Sequence, residues 1–149
     1  MDYTFTLRTI YPYLGDLWQA AATTLWLSVL AIVLSVVVGM AVALLRRSHL
    51  RILRILGGIY VEVMRNTPLL VILYIVYFAL PATGLRLSSF SAALLGLALN
   101  SAGYMAEIFR AGLAAVAPGQ FEAAASQGLT PVQSYRHIVL PQVLSLIHI

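Results

Sequence analysis

The 149-residue sequence has no cysteine and no lysine, and charged side chains of both signs make up only 9% of it. Without cysteine there is no disulfide, no thiol nucleophile and no thiolate metal site. Because all nine basic residues are arginine, a phosphate-binding loop of the GxxxxGK[ST] type is excluded, so any ATP would be hydrolysed by another subunit. Histidine is scarce as well. His49, His137 and His148 have neither the i,i+4 spacing nor the neighbouring carboxylates of a zinc site, and they read as interfacial side chains. No metal, cofactor or catalytic residue is expected. Repeats, low-complexity segments and long linkers are missing too, so residues 1–149 read as a single domain.

What fills the chain instead is hydrocarbon. Hydrophobic residues account for 61% of it, against about 45–50% in an ordinary soluble globule. No charge falls between Leu17 and Leu45, between Asn66 and Leu85 or between Leu87 and Ala106, runs of 29, 20 and 20 residues. Each reaches the roughly 20 residues that cross about 30 Å of bilayer as a helix. Backbone groups in lipid must be satisfied within their own segment, and the runs lack the strict alternation of barrel strands. The expected fold is therefore an all-α integral membrane protein with complete transmembrane helices at about 17–45, 56–80 and 88–106. Asp2 and Asp16, and an apolar stretch far longer than a signal core, argue that the first span is retained.

The formal charge of +4 does not call for nucleic acid, because the position of the arginines accounts for it. Arg46, Arg47, Arg51, Arg54, Arg65, Arg110 and Arg136 fall on or near one side of the bilayer, against Arg8 and Arg86 on the other, seven versus two. The positive-inside rule then puts the N-terminus outside and the segment after the third span in the cytoplasm. Tyr11, Tyr13 and Trp18 suit the outer interface, and the basic turn Arg46 to Arg54 suits the inner one.

From Glu107 to Pro141 the chain becomes polar and punctuated. The third span should continue through Glu107 and Arg110 to Pro118-Gly119, where proline lacks an amide proton and glycine permits a sharp turn. A short helix over about Gln120 to Gln127 should end at Gly128 in a left-handed cap, and Thr130 with Pro131 at the first helical position should start another. Two short helices meeting at an angle make a docking knob.

Two polar groupings lie inside the spans. Glu62 and Arg65 stand at i,i+3 just before Asn66-Thr67-Pro68. Two readings stand: the charges pair with each other, or Arg65 attracts a substrate carboxylate beside a hinge at which Pro68 frees the carbonyl near Met64. Gly96, Asn100, Gly103, Tyr104 and Glu107 recur at three- and four-residue intervals on one helix face, where they would either pack against a neighbouring helix or line a pathway.

Glu122-Ala123-Ala124, three residues, Gly128, nine residues, Ile138, any residue, Leu140-Pro141 matches at all seven positions. It resembles the EAA loop of ABC-importer permeases. Arg65-Asn66-Thr67-Pro68-Leu69-Leu70 and the run Tyr104, Glu107, Ile108, Arg110, Gly112, Gly119, Gln120 are similar to the polar-amino-acid branch of that family, the histidine/glutamine-type permeases. The likeness covers roughly residues 20 to 142.

It implies a multi-pass permease subunit of a bacterial inner membrane, importing polar amino acids by alternating access. The implied partners are a separate ABC ATPase, a second permease chain in a homo- or heterodimer, an extracytoplasmic solute-binding protein and membrane lipid. Glu122, Ala123, Ala124 and Gly128 would couple to the ATPase through a cytoplasmic loop over about 107–136. Arg65, Asn66, Thr67, Asn100, Tyr104 and Glu107 would line the substrate pathway. Against the family pattern, only the start of a fourth span follows Ile138, and 12 residues from there to Ile149 make about 18 Å of helix, too short to cross. The copy is expected to be truncated at its C-terminus. Alternatives are a permease for another small solute, a small helical channel, or a scaffold protein without ATP coupling.

Overall fold

A computed structural model describes residues 10–139 and 141–142. The expectations for residues 1–9, for Leu140 of the EAA-like pattern and for the tail 143–149 lie outside the described residues. All regular structure among the described residues is helical.

A 3-10 turn at Tyr11–Tyr13, with Pro12 in its first turn, leads into α1, Leu14–Arg46. At 1.5 Å per residue its 33 residues extend about 50 Å. It stops where the apolar run meets Arg46-Arg47, with a cation in the last turn to complement the helix dipole. Helix α2, Arg51–Asn66, begins five residues earlier than the expected second span, so the basic turn shrinks to 47–50.

The second span departs most from expectation. In place of one helix over 56–80, α2 is followed after Thr67-Pro68 by α3, Leu69–Tyr74, which opens a helical stretch Leu69–Thr83 bent by 105° from α2. A wider π-type stretch, Ile75–Ala79, and a 3-10 turn, Leu80–Thr83, carry the chain to Gly84. Among the described residues, two helices are long and apolar enough to cross a membrane, and three if the bent pair is one span.

Helix α4, Ser89–Ala115, starts at Ser88, whose hydroxyl caps the Ser91 amide, and it is the centre of the assembly. It is flanked by small residues because its neighbours come very close. A Cβ placed on Gly39 of α1 would lie 2.6 Å from Met105 Cβ, and one on Gly103 would lie 2.9 Å from Met64 Cβ. Ala43 packs with Phe109 and Leu113, while Val42 and Val61 pack with Ala106. Toward the other end, Ile72 and Val76 meet Ala92. Numbers rise together between α1 and α4 and in opposition between α2–α3 and α4, so the chain runs down, back and down again. Large apolar side chains face outward, Trp18 at 78% and Leu70 at 79% exposure, a surface suited to lipid.

Candidate functional site

Proline at 68 has no amide to offer the carbonyl four residues back, and the residue before it is driven out of the helical region. Thr67 is accordingly extended (φ −97°, ψ 126°). The carbonyls released at this break are taken up by α4. Asn100 Nδ2 donates to the Met64 oxygen at 2.8 Å, and the Tyr104 hydroxyl donates to the Arg65 oxygen at 3.2 Å. In the reverse direction the Tyr60 hydroxyl donates to the Leu99 oxygen at 2.8 Å. Asn100 and Tyr104 thus act first on the backbone of α2.

Arg65, Asn66 and Thr67 are brought together with Asn100 and Tyr104 at this break. The pairing of Glu62 with Arg65 does not form: the Arg65 guanidinium lies over the Tyr104 ring, 5.6 Å from its centroid, and the ion pairs among the described residues are elsewhere. Arg65, Asn66 and Glu62 are exposed, Thr67 and Asn100 half-buried. Beside α3 a cavity of about 390 Å³ is walled by Leu70, Leu73, Tyr74, Tyr77, Phe78 and alanines with one serine. Its walls are too apolar to hold a zwitterion, so the polar break, not this cavity, is the candidate pathway.

Glu107 stands one turn beyond Tyr104 and belongs to a different cluster. Its Oε2 accepts from Arg46 of α1 at 2.5 Å, and its Oε1 accepts from Arg110 Nε at 2.8 Å and from Arg110 Nη2. Arg47 donates to the Leu113 carbonyl at 3.1 Å. The parallel helices α1 and α4 are therefore tied at one end by a carboxylate held between two guanidiniums. In the sequence Arg46 and Arg47 serve only to orient the chain, and Tyr60 is not singled out. The signal available was that Arg46 and Glu107 are the first charges after two apolar runs crossing in the same direction, which sets them at the same bilayer edge.

After Ala115 the chain turns through Ala117, and helix α5, Pro118–Ser126, follows with Pro118 in its first turn. Proline starts this helix two residues before the expected Gln120. Its end is a Schellman arrangement: the Leu129 amide bonds the Ala124 oxygen at 3.1 Å and the Gly128 amide the Ala125 oxygen at 3.0 Å, with Gly128 at φ +75°. Thr130 then caps α6, Pro131–Ser134, in a full capping box with Gln133, and a π-type turn continues to Val139. Glu122 and Ala123 face outward, whereas Ala124 is 1% exposed. Of the two alanines, Ala123 is on the surface and Ala124 is packed inside. Phe121 and Tyr135 meet edge to face at 6.0 Å and join the core of Ala43, Phe109 and Leu113, fixing the loop to the ends of α1 and α4.

Residues 31–148 match the family model described as binding-protein-dependent transport system inner membrane component. The chain is 44% identical over 124 residues to the probable glutamine ABC transporter permease protein GlnM of Bacillus subtilis (strain 168), covering 83% of this chain and 57% of that protein. It is 43% identical over 145 residues to the probable amino-acid ABC transporter permease protein YckA of the same strain, covering 97% and 64%. The putative glutamine transport system permease protein GlnP of Rickettsia prowazekii (strain Madrid E) is 37% identical, covering 93% and 64%. The crystal structure of an amino acid ABC transporter with histidines superposes with a TM-score of 0.81 at 37% identity, covering 95% of this chain and 66% of that one. The chain thus spans about three fifths of the length of the curated relatives it matches. With the match over residues 31–148 and the relatives at 37–44% identity, the chain belongs to the family of binding-protein-dependent transport system inner membrane components.

Proposed function

We propose that this chain is the permease part of an ATP-binding-cassette importer for polar amino acids, with the N-terminus outside and the loop 107–136 in the cytoplasm of a bacterial inner membrane. The observation that carries the reading is the EAA register folded as a rigid outward knob. Glu122 and Ala123 are presented on α5, and the exit is fixed by Gly128 at φ +75° and by the Thr130 cap. Phe121 and Tyr135 seat the knob on the ends of α1 and α4, so a displacement applied to α5 passes into the spans as a rigid-body movement.

The chain itself hydrolyses nothing. A separate ATPase binds the knob, a solute-binding protein delivers the cargo outside, and a second permease chain completes the pathway within the lipid. Glutamine transport named for several relatives supports a polar amino acid as cargo. At the break, Arg65 and Asn66 are exposed while Asn100 and Tyr104 hold the backbone that presents them. Arg65 meets the substrate carboxylate.

Uptake of labelled glutamine into proteoliposomes, measured with the full-length permease, its ATPase and the binding protein, tests this. Arg65→Glu is expected to lower uptake at least tenfold at normal membrane abundance, because two acids at i,i+3 then face an anionic group. Their mutual repulsion costs the helix only a few tenths of a kcal/mol. Unchanged uptake removes Arg65 from the pathway; ATP-independent flux points to a channel instead.

A further inference from the structure

Arg46, Arg47 and Arg110 converge on a cavity of about 460 Å³ whose remaining walls are Leu113, Ala114, Val116 and Phe121. Glu107 is the carboxylate bound in this cluster, and its two oxygens are already engaged by Arg46 and Arg110. Arg47 has a neutral partner, the Leu113 carbonyl. Three guanidiniums against one carboxylate leave two positive charges in excess. Each guanidinium carries five donors, more than these contacts use, and the Arg110 side chain is 41% exposed. Tetrahedral phosphate oxygens fit such forks in bidentate fashion.

The place and the walls decide the source of the phosphate. The cavity opens where the uncharged run of α1 ends, at the edge of the hydrocarbon. One side is cationic and the other is leucine, alanine, valine and phenylalanine, which matches a headgroup continuous with an acyl chain and wastes half its wall on a free anion. We propose that this cavity binds the phosphate of an anionic phospholipid, its glycerol and acyl end lying along Leu113 and Phe121. Because Phe121 belongs to α5, the lipid touches the base of the knob as well as the end of α1. The proposal rests on the membrane placement given above and is independent of the cargo.

The test places this chain in nanodiscs of phosphatidylcholine with graded phosphatidylglycerol and counts retained lipid by native mass spectrometry. Wild type is expected to hold one phosphatidylglycerol in preference to phosphatidylcholine. Arg47→Gln should weaken retention about fivefold, the scale of one juxtamembrane cation. Arg54→Gln, which removes the same charge from an exposed position on α2 outside the cavity, should leave it unchanged. Arg47→Lys, which keeps the charge, should retain most of the binding and carries the test if the glutamine variant loses its helical circular dichroism.

Absence of a preference for phosphatidylglycerol overturns the proposal, as does equal loss in Arg54→Gln, which would mean diffuse surface attraction. Displacement by millimolar inorganic phosphate overturns the lipid as source. Failure of the chain to enter nanodiscs contradicts the membrane placement itself, an outcome separate from these.

Discussion

Asn100 turns a broken helix into a fixed joint. A carbonyl left without a partner inside the hydrocarbon is costly, and the Met64 oxygen has lost its helical donor to Pro68. Asn100→Leu keeps the branched heavy-atom skeleton, in a larger side chain, and removes the donor. It is expected to destabilise the protein by about 1 kcal/mol, read from denaturant unfolding in detergent, with a looser break. Asn100→Asp offers no donor when ionised and should cost more; an unchanged midpoint in both would mean that water replaces the amide. Residue types and spacing had put Asn100 and Tyr104 on one face with Gly103. They did not reveal that both reach backbone oxygens, because that depends on the angle of a break whose partner helix is more than 30 residues away.

At the scale of elements, α1 was legible, since an uncharged run ended by arginine admits one helical reading, and α4 continues through Glu107 and Arg110 as expected but stops at Ala115, short of the proline–glycine pair. The middle element was not. Proline and threonine at 67–68 announce a hinge, but propensity sets no angle, and 105° follows only when Gly103 admits Met64 and Gly96 admits Leu73 at contact distance. Pro68→Ala restores an amide that competes with Asn100 for the Met64 carbonyl. The expected result is a straighter, longer helix, seen as an increased distance between spin labels on α2 and α3, with uptake lost while membrane insertion is kept. A distance unchanged from wild type would show that packing on α4 alone holds the bend. Helix α2 also begins earlier than its uncharged core, because Arg51 and Arg54 sit on an outer helical face and do not interrupt the turn.

For the whole molecule, the arrangement is a parallel pair, α1 and α4, tied to each other at one end by the Glu107 cluster, bridged by the bent α2–α3 and ending in a knob held to both by Phe121 and Tyr135. The turn chemistry of the knob was readable residue by residue, since a positive φ at Gly128 and a threonine cap before proline are local matters. The burial of Ala124 and the tie from Arg46 to Glu107 were not, because they exist only once distant helices meet. A cysteine at Ser126, introduced into a chain that has none, should resist a membrane-impermeant maleimide in intact cells and react after lysis; labelling without lysis would reverse the topology.

Coupling itself is tested most directly at Gly128. A Cβ there meets nothing within 4 Å, so Gly128→Val creates no clash and acts only through its backbone, where a β-branched residue is disfavoured at φ +75° by about 1–2 kcal/mol. The measurement is amino acid imported per ATP hydrolysed, in proteoliposomes of the full-length permease with its ATPase and binding protein. The account predicts a fall of tenfold or more for Gly128→Val at normal insertion, with weak ATPase binding or hydrolysis without transport. An unchanged ratio, with association and turnover also at wild-type levels, would contradict the assignment of this loop as the element through which the ATPase moves the spans.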